Sequence, residues 1–131
     1  MNEFEMAKRA KKAKRANYIV FTVFVILLAG IAALVIGYKV RHNFTPAKWE
    51  KYPDKRTAIV DDLLSDYDLI GKTHEEIRYL LGEESYPRFG VTENDMVYCL
   101  GPERGFISID DEWLVILFTG DTVSHYYIPT D

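Results

Sequence analysis

The spacing of apolar and polar residues changes period three times along this chain, and each period predicts a different element. Residues 16–38 contain no charged side chain, and thirteen of residues 19–36 are Ile, Val, Leu or Phe. A helix of a soluble core keeps one polar face, and this run has none. A helix of about 20 residues crosses the hydrocarbon of a bilayer. At roughly −0.3 to −0.6 kcal/mol per large apolar residue, insertion is favoured by about −4 to −8 kcal/mol. The run predicts a transmembrane helix over 18–38.

A period near 3.6 begins at Pro53. In PDKRTAIVDDLLSDY (53–67), Ala58 or Ile59, Leu63 and Tyr67, with Val60 and Leu64, form one apolar stripe. Asp54 places negative charge in the first turn, where the helix dipole favours it. A second helix is written in LIGKTHEEIRYLLG (69–82). Thr73 and Glu76 have capping-box spacing, in which each side chain bonds the other residue's backbone N–H. Ile77, Leu80 and Leu81 form the buried stripe, and Gly82 ends the helix in a left-handed conformation. His74, Arg78 and Tyr79 take no part in this scheme.

Beyond a loop around Pro87 and Gly90 the period falls to two. In MVYCL (96–100), Met96, Tyr98 and Leu100 oppose Val97 and Cys99. GPERG (101–105) is a turn and FISI (106–109) a short edge segment. WLVILF (113–118) is the central strand, and VSHYYI (123–128) follows the turn TGDT. The expected fold class is α+β: an N-terminal transmembrane helix, then two helices packed on a three- to four-stranded antiparallel β-meander. The domains run 1–17 (basic cytoplasmic tail), 18–38 (transmembrane helix), 39–52 (juxtamembrane linker) and 53–131 (extracytoplasmic α+β domain).

Charge adds an orientation. Residues 1–43 hold eight bases and two acids, whereas residues 44–131 hold eight bases and eighteen acids. Lys8, Arg9, Lys11, Lys12, Lys14 and Arg15 stand just before the apolar run; Lys39, Arg41, Lys48 and Lys51 follow it. The excess on the N-terminal side puts the N-terminus in the cytoplasm and residues 39–131 outside the plasma (inner) membrane. The first six bases also suit contacts with anionic lipid, or serve as topology signals alone. No aromatic platform or recognised module accompanies them, so nucleic acid is not an expected partner. The run exceeds the apolar core of a cleaved signal peptide and ends in GYKVRHNF without a good small-residue cleavage site. Cys99 is the only cysteine, which excludes an internal disulfide and a lipid-bearing cysteine after the run.

Within the run, Ala29, Ala33 and Gly37 recur at i, i+4 and i+8, a stripe that allows close helix approach and hence a homodimer, or that reflects common small-residue usage. Asn43-Phe44-Thr45 fits a glycosylation sequon, to which we assign no role. Trp49 and Tyr52 are interfacial anchors or the first core contacts of the domain.

The motif Leu69-x-Gly71-x-Thr73-x-x-Glu76-Ile77-x-x-x-Leu81-Gly82 is followed by Phe89-Gly90, Val97-Tyr98, the strand 114–118, and Gly120 with Val123. Over residues 63–128 this order resembles the SmpA/OmlA (BamE-like) family of small bacterial envelope proteins. The resemblance implies two helices on a three-stranded antiparallel sheet, as in β-lactamase inhibitor domains, and a role in protein contacts during envelope assembly. The chain departs from the family in having an apolar span where the family has a lipidated cysteine. It also has Glu84 where a proline usually follows the Leu-Gly.

Chemical motifs are sparse. His74 lacks the second histidine of H-E-x-x-H; Arg78 occupies its place, and neither His42 nor His125 stands at ligand spacing, so no metal or other cofactor is expected. Asp61, Asp62, Asp66 and Asp68 lack EF-hand spacing and read as a solvated face. Cys99 and His125 are a conceivable nucleophile and base, with no oxyanion donor or orienting group apparent; a strand cysteine is more often a small buried hydrophobe. Asp110, Asp111 and Glu112 suit a cation or basic partner, or simply a solvated turn. The aromatics Tyr98, Trp113, Tyr126 and Tyr127 are candidate partner contacts, because an exposed aromatic on a sheet anchors protein interfaces well. The favoured function is a membrane-anchored interaction or accessory module for another envelope or membrane protein, not an enzyme. The alternative is a small-ligand-binding or hydrolytic domain using a helix–sheet cleft with Cys99, His125 or the 110–112 cluster.

Overall fold

The computed structural model describes residues 2–85 and 91–131. The loop expected around Pro87 and Gly90, and the Phe89-Gly90 pair of the resemblance motif, lie outside them. The chain divides into two units, residues 1–40 and residues 41–131.

The first unit is built from one helix, α1 (Glu3–His42), whose last two residues are counted with the second unit; it carries the basic segment and the apolar run without a break. Its most apolar window has a mean hydropathy of 3.1, and none of that window is buried within the chain. It is long and apolar enough to cross a membrane.

The second unit is α+β. It contains α2 (Pro46–Lys51), a 3₁₀ helix (Pro53–Ala58), α3 (Val60–Asp66), α4 (His74–Leu81), β1 (Met96–Pro102), β2 (Asp111–Thr119) and β3 (Thr122–Tyr127). The described strands form one antiparallel sheet in the order β1-β2-β3.

Two departures from the sequence reading concern the start of this unit. Within the segment expected as a linker, 39–52, Phe44 and Trp49 are buried in the core. Thr45 caps α2 by accepting the Lys48 N–H at 3.2 Å, and Pro46 takes the first helical turn, where its missing N–H costs nothing. The ring of Phe44 meets Trp49 and Tyr67 edge-on, and Trp49 meets Tyr98. Trp49 is thus a core residue and not an interfacial anchor, whereas Tyr52 is exposed beneath Lys51 and Lys55. The helix expected over 53–67 is instead a 3₁₀ turn followed by the short α3. In the tighter turn Arg56 faces inward. Its guanidinium stacks on Trp49 and donates to the carbonyls of Trp49 (2.9 Å) and Cys99 (3.0 Å). Burial lowers the Arg56 pKa, and the facing carbonyls hold the buried cation.

α4 follows its sequence signals closely. Thr73 accepts the Glu76 N–H at 3.2 Å, and Glu76 accepts the Thr73 N–H at 2.8 Å. Gly82 ends the helix at φ 74°, ψ −159°. The positive φ is as expected, but the ψ is that of an extended mirror-image conformation open to glycine alone.

The sheet is apolar on both faces. Met96, Tyr98, Leu100, Leu114, Ile116, Phe118 and Val123 pack with Ile59, Val60, Leu63, Leu69, Ile77 and Leu81 of the helical side. Val97, Trp113 and Val115 form a second cluster on the other face, with Cys99 and Leu117 against it. A bulge between Leu117 and Phe118 pairs Phe118 with Val123 and Leu117 with His125. The extra residue in β3 turns His125 and Tyr127 to the face opposite Val123, so the three do not share a face as strict alternation predicts. FISI is not a strand; it belongs to the loop between β1 and β2.

Each outer strand is covered over part of its length by other parts of the chain. Along β1, Ser85 donates its N–H to Val97 O (2.7 Å), its Oγ accepts the Cys99 N–H (2.9 Å), and Arg56 takes Cys99 O. Along β3, Val123 N–H bonds Lys72 O and Val123 O bonds Gly71 N–H, both at 2.8 Å.

Candidate functional site

Two constellations remain after the core is assigned. The first surrounds His74, at the first turn of α4. Its ring lies on Phe118, and Nδ1 faces Asp121 Oδ1 at 2.8 Å while Nε2 faces the Asn94 carbonyl at 2.7 Å. Both nitrogens meet acceptors, so both bonds form together only in the imidazolium. Burial works against that charge. The Asn94 carbonyl and the Asp121 carboxylate outweigh burial and raise the pKa above its usual value. The neighbouring groups hold the ring in place. Asn94 Nδ2 donates to Gly120 O, and Asp95 accepts the Phe118 N–H (3.0 Å) with both the N–H and the hydroxyl of Thr92. Desolvation raises the Asp95 pKa, but these bonds and the His74 charge bring it below its usual value. The cluster fastens α4, residues 92–95 and the β2–β3 hairpin to one another.

The second constellation is the loop from Glu103 to Asp110. Its base is closed by the Glu103 N–H on Asp110 O at 2.9 Å. Ser108 Oγ donates to Glu103 O at 2.7 Å. The Arg104 N–H donates to Glu112 Oε1 at 2.7 Å, and its guanidinium bonds both oxygens of Glu112 and reaches Asp61 at 2.6 Å. Glu112 is buried, which alone raises its pKa; the side-chain and backbone bonds from Arg104 more than offset this and lower it. These ties run between the loop's own residues or from Arg104 to Glu112 and Asp61. Phe106, Ile107 and Ile109 are directed outward, with relative exposures of 103%, 66% and 81%. Burial of such side chains is worth about 1.5–3 kcal/mol each, and here that stabilisation is unused.

The residues singled out from sequence fare unevenly. Tyr98 is fully buried and donates its hydroxyl to Gly82 O at 3.0 Å; burial also pushes its pKa upward. Trp113 is buried in the outer-face cluster. Neither presents a surface to a partner, because alternation along β1 and β2 directs one to the core and the other to the second cluster. Tyr127 is exposed and Tyr126 half-buried against the core. Cys99 and His125 share a sheet face without meeting. Cys99 pairs with Trp113 and His125 with Leu117, which the strand spacings place roughly 16 Å apart. The acidic cluster is dispersed: Glu112 faces Arg104, while the Asp111 N–H donates to Asp131 and Asp110 O accepts from Glu103. Among the described residues no three His, Cys, Asp or Glu side chains converge as a metal site. An open groove of about 420 Å³ beside α4 is lined by Tyr67, Lys72, Glu75 and Tyr79, and includes neither Cys99 nor His125.

On α1, the stripe residues Ala29 and Ala33 are exposed, as are Lys8, Arg9, Lys11, Lys12, Lys14 and Arg15. A Cβ added at Gly37 would meet no other atom. Sequence reasoning missed the outward loop, since FISI reads as an edge strand. The available signal was an apolar tetrapeptide that follows Arg-Gly and precedes three consecutive acids, with no partner strand of matching period. Comparison of the chain with protein-family models, curated proteins and solved structures gives no match.

Proposed function

We propose that this chain is a single-pass plasma (inner) membrane protein whose acidic C-terminal domain lies outside the cytoplasm and serves as a protein-interaction or accessory module for another envelope protein. The observation that carries the reading is α1, an apolar helix unburied by its own chain, with six bases at its N-terminal end. That distribution supports the N-in orientation. The likeness to the SmpA/OmlA pattern belongs to the same proposal. Its support is the capped α4 with Leu81-Gly82, followed by three antiparallel strands. A domain with its apolar residues presented on an ordered loop is suited to contact, and the separation of Cys99 from His125 leaves the hydrolytic alternative without support from these residues.

Topology is tested with reporter fusions after Asp131. Alkaline phosphatase should be active there and a cytoplasm-dependent fluorescent protein dark, with the chain resisting alkaline extraction from membranes. The reverse reporter pattern would overturn the orientation, and alkaline extraction into the soluble fraction would overturn the anchor.

A further inference from the structure

We propose that the 103–110 loop is the docking knob of this domain, and that its occupant is a protein surface with an apolar pocket rimmed by Lys or Arg side chains. The inference rests on the interaction-module reading and names the partner's chemistry. Three observations carry it. The knob is preorganised, because the Glu103–Asp110 closure, the Ser108 bond and the Arg104 ties fix its backbone before any partner arrives. Little ordering entropy then remains to be lost on binding. Its tip is apolar, with Phe106, Ile107 and Ile109 all exposed. An aromatic flanked by aliphatics that fills a pocket is the usual form of an interface hot spot.

The third observation is charge. Residues 102–112, PERGFISIDDE, contain four acids and one base. The base, Arg104, is held by Glu112 and Asp61. Among the described residues no ion pair joins a base to Glu103, Asp110 or Asp111, so these acids flank the apolar tip in sequence with negative charge. An anionic lipid surface would repel this rim, whereas a basic rim on a partner protein would complement it and accelerate encounter.

The test uses the full chain in its own membranes, with a photoreactive phenylalanine analogue at Ile107 or, separately, at Tyr79 on α4. Both sites are exposed, so folding is not at issue. The proposal expects a discrete protein adduct from position 107, with the cross-linked peptide mapping to an apolar pocket bordered by Lys or Arg. Phe106→Ser should lower the yield at least about tenfold. Asp110→Lys with Asp111→Lys should also lower it by about tenfold, and more so at low salt. An adduct from 107 to lipid alone, to a second copy of the chain, or to a protein whose capture is indifferent to the charge reversal would overturn it. Protein adducts from Tyr79 and none from 107 would sink the knob and leave the interaction-module reading standing. No protein adduct from either position would sink both.

Discussion

The imidazole of His74 lies flat on the ring of Phe118, with centroids 3.6 Å apart and planes 12° apart. This places both ring nitrogens edge-on against Asp121 and the Asn94 carbonyl. Because the His74 pKa is raised in the fold, its contribution to stability is fully present below the unfolded value of 6.5 and is lost as pH rises through the folded value. His74→Gln should therefore lower the melting temperature more at pH 6 than at pH 9. Equal deficits at the two pH values would show that the charged form has no part in the tie.

Glu112 gives the opposite dependence. Its pKa is lowered from 4.5, so its stabilising effect is present above that value and lost as pH falls through the folded value. Arg104→Ala should cost about 1–3 kcal/mol near neutrality, discounted for the exposure of the arginine. The cost should shrink in acid, where Glu112 takes up a proton. Urea unfolding at pH 7 and pH 3.5 measures both, and hydrogen exchange should report a loosened 103–110 loop in the same variant.

Gly101 sits at φ 96° in the bulge of β1, and a Cβ there would run into the Asp54 carbonyl of the 3₁₀ turn. The carbonyl belongs to backbone and has no rotamer by which to withdraw. Gly101→Ala should destabilise by about 1–3 kcal/mol from overpacking, with about 1 kcal/mol more from the left-handed backbone. Gly105→Ala, where an added Cβ meets nothing within 4 Å, is the matched control and should be nearly silent in thermal denaturation.

The capping box makes a further separation. Thr73→Ala should lower stability by about 0.5–2 kcal/mol. Zinc chelation should leave the melting temperature unchanged, since His74 is occupied by Asp121 and Asn94. A chelator-induced loss of stability would revive the zincin-like reading of HEEIR.

What the sequence disclosed follows the range of the forces involved. The helix α4 was legible because capping and termination are settled within ten residues, and α1 because apolar character sums over a contiguous run. The alternation of β1 assigned Met96, Tyr98 and Leu100 to one face for the same reason. The 3₁₀ turn was not legible: it depends on Arg56 finding Trp49 and the Cys99 carbonyl, seven residues back and forty-three ahead. Nor was the recruitment of Phe44 and Trp49 into the core, although Thr45-Pro46 was a readable helix start. The bulge in β3 moved Val123 away from His125 by one residue of register, which no periodicity shows. Tyr127 is exposed, but it belongs to neither constellation; the exposure of the Phe106–Ile109 tip was not legible, because burial of an apolar run is the ordinary expectation.

The coverage of both sheet edges bears on how any partner must recognise this domain. Ser85 and Arg56 occupy the groups at Val97 and Cys99, and the 71–72 segment occupies those of Val123. A visiting strand would have to displace those bonds before pairing, so recognition by strand addition is closed at these positions. Selectivity then falls to side chains at defined points on the surface, where a single substitution can abolish one contact without unravelling the sheet.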